Sequence, residues 1–159
     1  MTEVALRPET PGDEAFSRAV YGSTREEELA VTGWTDEQKA AFLAMQYVAQ
    51  RTYYREVYPD AAYDVIVVDG EDAGRLYVAR LADEIRIIDI ALLPAFRGRG
   101  IGQGLLGDVL AEAGASGRRV VIHVEQNNRA RELYLRLGFE VAEDVGVYHR
   151  LEWAPPEVS

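Results

Sequence analysis

Residues 4–7 can form a short first strand, and a Thr10-Pro11-Gly12-Asp13 start signal opens a helix over residues 11–21. Thr35 then caps a longer helix, in which Trp34, Phe42, Met45, Val48 and Ala49 keep helical spacing until Pro59 stops it after Tyr58. From Tyr63 the pattern changes. Residues 63–68 are rich in β-branched side chains, Asp69-Gly70-Glu71-Asp72 reads as a turn, and residues 74–79 return, which together predict a hairpin. Residues 85–93 form the next strand, ended by Pro94. A helix with Ile101, Leu105, Val109, Leu110 and Ala113 on one stripe follows and stops at Gly114 and Gly117. Residues 120–124 are a buried strand. A helix carrying Ala130, Leu133, Tyr134 and Leu137 on one face comes next, with Asn127 or Asn128 as its cap and Gly138 just past its end. Strands at 139–142 and 147–151 complete the order βααβββαβαββ, an α+β chain with helices on both faces of a mixed sheet.

No internal repeat or linker interrupts this order, so residues 1–154 are expected to form one domain, with 155–159 as a flexible tail. The 159 residues are 48% hydrophobic, enough to close one core. No apolar run approaches the roughly 20 residues of a membrane span, and residues 1–8 lack the blocks of a signal peptide. A cytoplasmic protein is the expectation. The absence of cysteine removes disulfides, thiolate metal sites and a cysteine nucleophile, and no metal is expected. A net charge of −10 argues against nucleic acid or an anionic membrane as partner. That charge is uneven: residues 1–93 hold 18 acidic and 9 basic side chains, residues 94–159 hold 9 and 8, and Arg97, Arg99, Arg118, Arg119, Arg129 and Arg131 of the second part lie in or near the segments that carry the motifs below, where a solvated surface would explain them equally well.

That segment, Arg97-Gly98-Arg99-Gly100-Ile101-Gly102, lies between a strand end and a helix start, where backbone N–H groups and the helix dipole favour an anion. Glycines let a pyrophosphate approach the main chain closely; alone, they serve a tight turn equally well. A P-loop is excluded because no Gly-Lys-Ser/Thr follows. Residues 102–107, Gly-Gln-Gly-Leu-Leu-Gly, fit the dinucleotide fingerprint in letters only, since they fall inside the helix rather than at the turn that opens it.

Residues 87–102, Ile-Ile-Asp-Ile-Ala-Leu-Leu-Pro-Ala-Phe-Arg-Gly-Arg-Gly-Ile-Gly, resemble motif A of the GNAT N-acetyltransferase superfamily, with Arg97, Gly100 and Gly102 in its defining places. Residues 127–139, Asn-Asn-Arg-Ala-Arg-Glu-Leu-Tyr-Leu-Arg-Leu-Gly-Phe, resemble motif B, in family order and at family spacing. The resemblance covers about a third of the chain and implies a mixed, mostly antiparallel twisted sheet of about seven strands with a splayed cofactor cleft. It implies acetyl-coenzyme A as co-substrate, bound by the backbone of Ala91 and Leu92, by Arg97, Gly98, Arg99, Gly100, Ile101, Gly102 and Gln103 around the pyrophosphate, and by Asn127 or Asn128. The N–H of Leu92 would face the thioester oxygen. Tyr134 matches the tyrosine that protonates the departing thiolate, although a core tyrosine would fit its apolar stripe too.

The base is less evident, because Arg86 stands where many relatives carry a glutamate. Asp89 is the first replacement, with His123 and Glu125 behind it; His123, on a strand of Val and Ile, reads better as a core histidine. The resemblance assigns residues 1–60 to the acceptor, and there Glu26-Glu27-Glu28, Trp34, Tyr47, Tyr53 and Tyr54 could receive a cationic amine or simply line a helix end and a core. The expected activity is acetyl transfer to a primary amine of a small molecule or peptide by direct attack in a ternary complex. A non-catalytic sensor of acyl-coenzyme A is the alternative, and a homodimer is left open.

Overall fold

A computed structural model describes residues 2–125, 128 and 130–156. Its elements run β1 (Val4–Pro8), a single 3-10 turn (Pro11–Asp13), α1 (Glu14–Ser23), α2 (Glu26–Ala30), α3 (Asp36–Val57), β2 (Ala62–Val68), β3 (Glu71–Arg80) and β4 (Glu84–Leu92). After a second 3-10 turn (Pro94–Phe96) come α4 (Ile101–Ser116), β5 (Arg119–Glu125), α5 (Arg131–Arg136), β6 (Glu140–Val145) and β7 (Tyr148–Trp153). The strands form one sheet in the order β1-β2-β3-β4-β5-β7-β6. β4 and β5 pair in parallel; β1–β2, β5–β7 and β6–β7 are antiparallel.

Three local differences from the sequence reading have clear causes. The hairpin between β2 and β3 turns on Asp69 and Gly70 alone, both at positive φ (50° and 83°), so Glu71 and Asp72 belong to the strand. Two consecutive left-handed residues give the turn whose twist matches paired strands. The helix expected at 11–21 begins as a 3-10 turn, where Asp13 accepts from the Thr10 N–H (2.8 Å) and from both Nη atoms of Arg7 (2.9 and 2.8 Å). The acidic stretch 26–28 opens a separate helix of five residues, α2, too short to show a period.

The chain divides into two compact units, Met1–Leu76 with Ile90–Arg97, and Tyr77–Asp89 with Gly98–Ser159. In the first, β1 lies against β2 from Val4↔Val68 to Pro8↔Asp64, and the core gathers Val65, Ile66 and Val68 with Val20 and Tyr21 of α1, Leu29 of α2 and Tyr47 of α3. Thr35 caps α3 as expected: its Oγ1 accepts from the Gln38 N–H (3.1 Å) while Gln38 Oε1 accepts from the Thr35 N–H (2.9 Å), satisfying two donors at once. Arg75 is 3% exposed. Its guanidinium donates to Gln50 Oε1 (2.9 Å) and Ser17 Oγ (3.3 Å) and lies 5.8 Å from the Tyr21 ring, so the buried charge is held by polar and aromatic groups.

In the second unit α4 buries Ile101, Leu105, Leu106, Val109 and Ala113, close to the predicted stripe, and ends at Gly117 in the left-handed region (φ 69°). β5 contributes Val120, Val121, Ile122 and Val124 to the core, and β7 contributes Leu151. The Trp153 ring packs across Gly138 and Gly114, where added Cβ atoms would meet it at 3.3 and 3.7 Å. Among the described residues no helix is long and apolar enough to cross a membrane.

Candidate active site

The glycine-rich loop enters α4 on left-handed backbone. Gly98 and Gly100 have φ of 73° and 79°, a region other L-residues rarely enter, and Gly100 stands as the N-cap of α4. No side chain caps this helix, and its first internal bond runs from the Gly104 N–H to the Gly100 carbonyl (3.0 Å). The N–H groups of Ile101, Gly102 and Gln103 therefore have no partner within the helix, and no acidic residue occupies its first turn. Cβ atoms at Gly98 and Gly100 would meet nothing within 4 Å. Arg99 and Gln103 are exposed beside it.

Arg97 is engaged differently from the expected phosphate contact. Its Nε donates to the Leu92 carbonyl (3.0 Å), its Nη2 approaches Ser23 O and Oγ (3.3 Å each), and its N–H reaches the Pro94 carbonyl (3.2 Å). The residue thus ties the end of β4 to the last turn of α1, a link with 74 residues of separation that no local pattern shows. Ala91 and Leu92 are half-buried at that strand end. A Cβ on Gly74 would fall well inside 3.0 Å of the Ala91 carbonyl oxygen, so that oxygen leaves the line of the ladder toward β3, and Gly74 alone permits the approach. Beside it the Leu93 N–H bonds the Ala73 carbonyl at 2.8 Å. Sequence reading passed over Gly74; a glycine inside a strand was the available signal.

In the second unit, β4 pairs with β5 from Glu84↔Arg119 to Ile87↔Ile122. Tyr134 is 3% exposed, its ring edge-on to Phe139 at 5.8 Å between centroids. Burial pushes its hydroxyl far above the ordinary tyrosine range, and the nearby Asp89 carboxylate raises it further. No hydrogen bond holds that hydroxyl among the described residues. Asp89 is half-buried, and its carboxylate lies near enough to act on the Tyr134 hydroxyl.

Asn128 caps the turn into α5: its Oδ1 accepts from the Ala130 N–H (2.8 Å), its carbonyl accepts from the Arg131 N–H (3.1 Å), and its own N–H bonds the Glu125 carbonyl (2.9 Å). Asn127 lies outside the described residues. His123 corrects the expectation of a core histidine, since it is exposed on β5. Its pKa is lowered by partial desolvation first and then by Arg86 and Arg150, which keeps the imidazole neutral at ordinary pH. Arg86, in the place of the family glutamate, lies against Glu84 at 3.2 Å. In the first unit a groove of about 430 Å³ opens among α1, α2 and α3, lined by Arg18, Gly22, Glu26, Leu43 and Tyr47 among others.

The uncapped glycine loop and the buried Tyr134 both fall within the span that a family model matches. Residues 59–141 match the family model described as the acetyltransferase (GNAT) domain. The chain belongs to this family, and it is a GNAT acetyltransferase. No curated protein matches it. Among solved structures it is similar to the PaiA N-acetyltransferase of Thermoplasma acidophilum in complex with coenzyme A (16% identity, TM-score 0.71, covering 96% of this chain and 99% of that one). It is also similar to the ribosomal-protein-S18-alanine N-acetyltransferase of Escherichia coli (15%, 0.63, 99% and 97%). A third is a GNAT family acetyltransferase of Elizabethkingia anophelis with acetyl-CoA bound (17%, 0.59, 95% and 97%). At these identities the likeness is one of fold.

Proposed function

We propose that this protein transfers the acetyl group of acetyl-coenzyme A to a primary amine of a small molecule or peptide by direct attack in a ternary complex. The observation that carries the reading is Tyr134, a buried side chain on α5 whose hydroxyl makes no hydrogen bond among the described residues. The residues present suit the co-substrate. Positive-φ glycines with open space above them and three N–H groups at the start of α4 fit a pyrophosphate, with Arg99 and Gln103 beside them. When bound, acetyl-coenzyme A supplies the thioester that the amine attacks. In that reaction Asp89 would take the proton of the attacking amine and Tyr134 would give its proton to the departing sulfur, while the Leu92 N–H is the donor proposed for the oxygen on which negative charge builds. With its pKa raised, Tyr134 keeps its proton in the resting site and meets the departing sulfur first as a hydrogen-bond donor.

For the acceptor, the groove among α1, α2 and α3 supplies Glu26 for a cation and Leu43 and Tyr47 for an apolar body. The domain is proposed to span residues 1–154.

The test is a screen of amines for coenzyme A release, followed by Tyr134→Phe with the best acceptor. Turnover should fall by roughly 10²-fold, the lower end for a positioned general acid because a thiolate can leave unprotonated. Affinity for acetyl-coenzyme A should barely change. Wild-type turnover in the variant would make Tyr134 a packing residue. Binding of acetyl-coenzyme A with no release for any amine would identify a sensor instead.

A further inference from the structure

Helix α5 has only six residues, too few to hold its own geometry in water, so Tyr134 stands where the anchors of that helix put it. At its C-terminal end the anchors are plain: Gly138 at φ 103° under the Trp153 ring, and the Phe139 N–H on the Tyr134 carbonyl (3.1 Å). At its start the side chain of Arg131 reaches down to the sheet, where Nη2 lies 3.2 Å from His149 Nδ1. A guanidinium only donates, so Nδ1 accepts, and the imidazole proton must sit on Nε2. Nε2 in turn faces Asp144 Oδ2 at 3.7 Å, and Asp144 Oδ1 is fixed by the Gly146 N–H at the hairpin tip (3.1 Å). His149 pairs with Val124 of β5 on one side and Asp144 of β6 on the other, and its side chain is 14% exposed. The Nε of Arg131 is buried without a partner among the described residues, and its Nη2 carries the bond to His149.

We propose that Asp144, His149 and Arg131 form a positioning chain that fixes the first turn of α5 on the sheet and so sets the Tyr134 hydroxyl for catalysis. The inference rests on Tyr134 being the proton donor. Arg131 precedes it by three residues, about one helical turn, so a shift of the first turn displaces the hydroxyl directly. Misplacement on the order of 1 Å can cost up to about 10²-fold in rate. None of the three residues touches the reacting atoms in this scheme.

A double-mutant cycle tests it. His149→Leu removes the acceptor, whereas His149→Asn keeps an oxygen near the position of Nδ1. With the amine identified by the screen, His149→Leu should lower kcat about tenfold with KM for acetyl-coenzyme A within about twofold, and His149→Asn should recover most of the loss. In a Tyr134→Phe background His149→Leu should cost nothing further. Equal losses in both backgrounds, or a loss confined to KM, overturn the positioning role while leaving Tyr134 as the acid. Wild-type turnover of Tyr134→Phe itself overturns both. Should His149→Leu fail to fold, Arg131→Met cuts the same bond from the helix side. Independently of activity, nitrogen NMR of the ligand-free protein should show His149 in the Nε2–H form, and a proton on Nδ1 would refute the chain.

Discussion

Substituting alanine at Gly74 places a methyl group against backbone from which nothing can swing away. The three nearest atoms are the Ala91 oxygen, well inside 3.0 Å, Leu92 Cα at 3.0 Å and the Ala91 carbonyl carbon at 3.1 Å. Relief requires the end of β4 to move by on the order of 1 Å, an overpacking cost of about 1–3 kcal/mol. For a chain of this length each kcal/mol lowers the melting temperature by about 2–4 °C, so a fall of roughly 2–12 °C is expected. The moved segment is the one proposed to bond the pantetheine arm through Ala91 and Leu92, and kcat/KM for acetyl-coenzyme A should drop by up to about 10²-fold. Gly107→Ala is the control: its methyl would meet nothing within 4 Å, inside α4, where alanine gains about 0.5–1 kcal/mol over glycine. Calorimetric melting and steady-state kinetics on both variants decide the matter. If Gly74→Ala melts with the wild type and keeps its kcat/KM, the close approach of β3 and β4 does not exist as described.

Gly100→Asn retains a residue type that tolerates the left-handed region but fills the open space above the loop, so the melting temperature should hold while acetyl-coenzyme A affinity falls at least about tenfold by calorimetry. Unchanged affinity would place the phosphates elsewhere. Asp89→Asn should lower turnover most near neutral pH and recover partly as pH rises, once the amine loses its proton unaided; an unaltered pH–rate profile would transfer the role to His123, Glu125 or water. The same substitution removes one of the two causes that raise Tyr134, so its hydroxyl should titrate lower than in the wild type. Burial raises Tyr21, Tyr63 and Tyr134 above the unfolded value near 10, so their contribution is complete below about pH 10 and is lost as pH climbs toward the folded values. Melting scans should show a steep decline beginning near pH 10, and a flat profile to pH 11.5 would contradict the burial of these rings.

The two motifs were legible because each is written in contiguous residues: Arg97 to Gly102 reads as a loop opening a helix, and residues 127–139 as a helix with Tyr134 on its inner face. Amphipathic stripes served for the same reason, as in α4, where four of five predicted positions are buried and Leu110 is half-buried. What escaped depends on partners remote in sequence. Arg97 looked like a phosphate ligand until Ser23 and the Leu92 carbonyl took its guanidinium. His123 looked buried because its strand neighbours are apolar, yet strand alternation turns it to the opposite side from Ile122 and Val124. The bond of Arg131 to His149 spans 18 residues and two elements, and neither residue carries a mark of it.

The position of Trp153 across Gly114 and Gly138 has a spectroscopic use. The chain holds two tryptophans, and the other, Trp34, stands 40% exposed beside Phe42 at 5.3 Å. One indole lies in each compact unit. A Trp34→Phe variant therefore emits from the second unit alone and a Trp153→Phe variant from the first, so two denaturation curves recorded by fluorescence show whether the units melt as one cooperative body or in sequence.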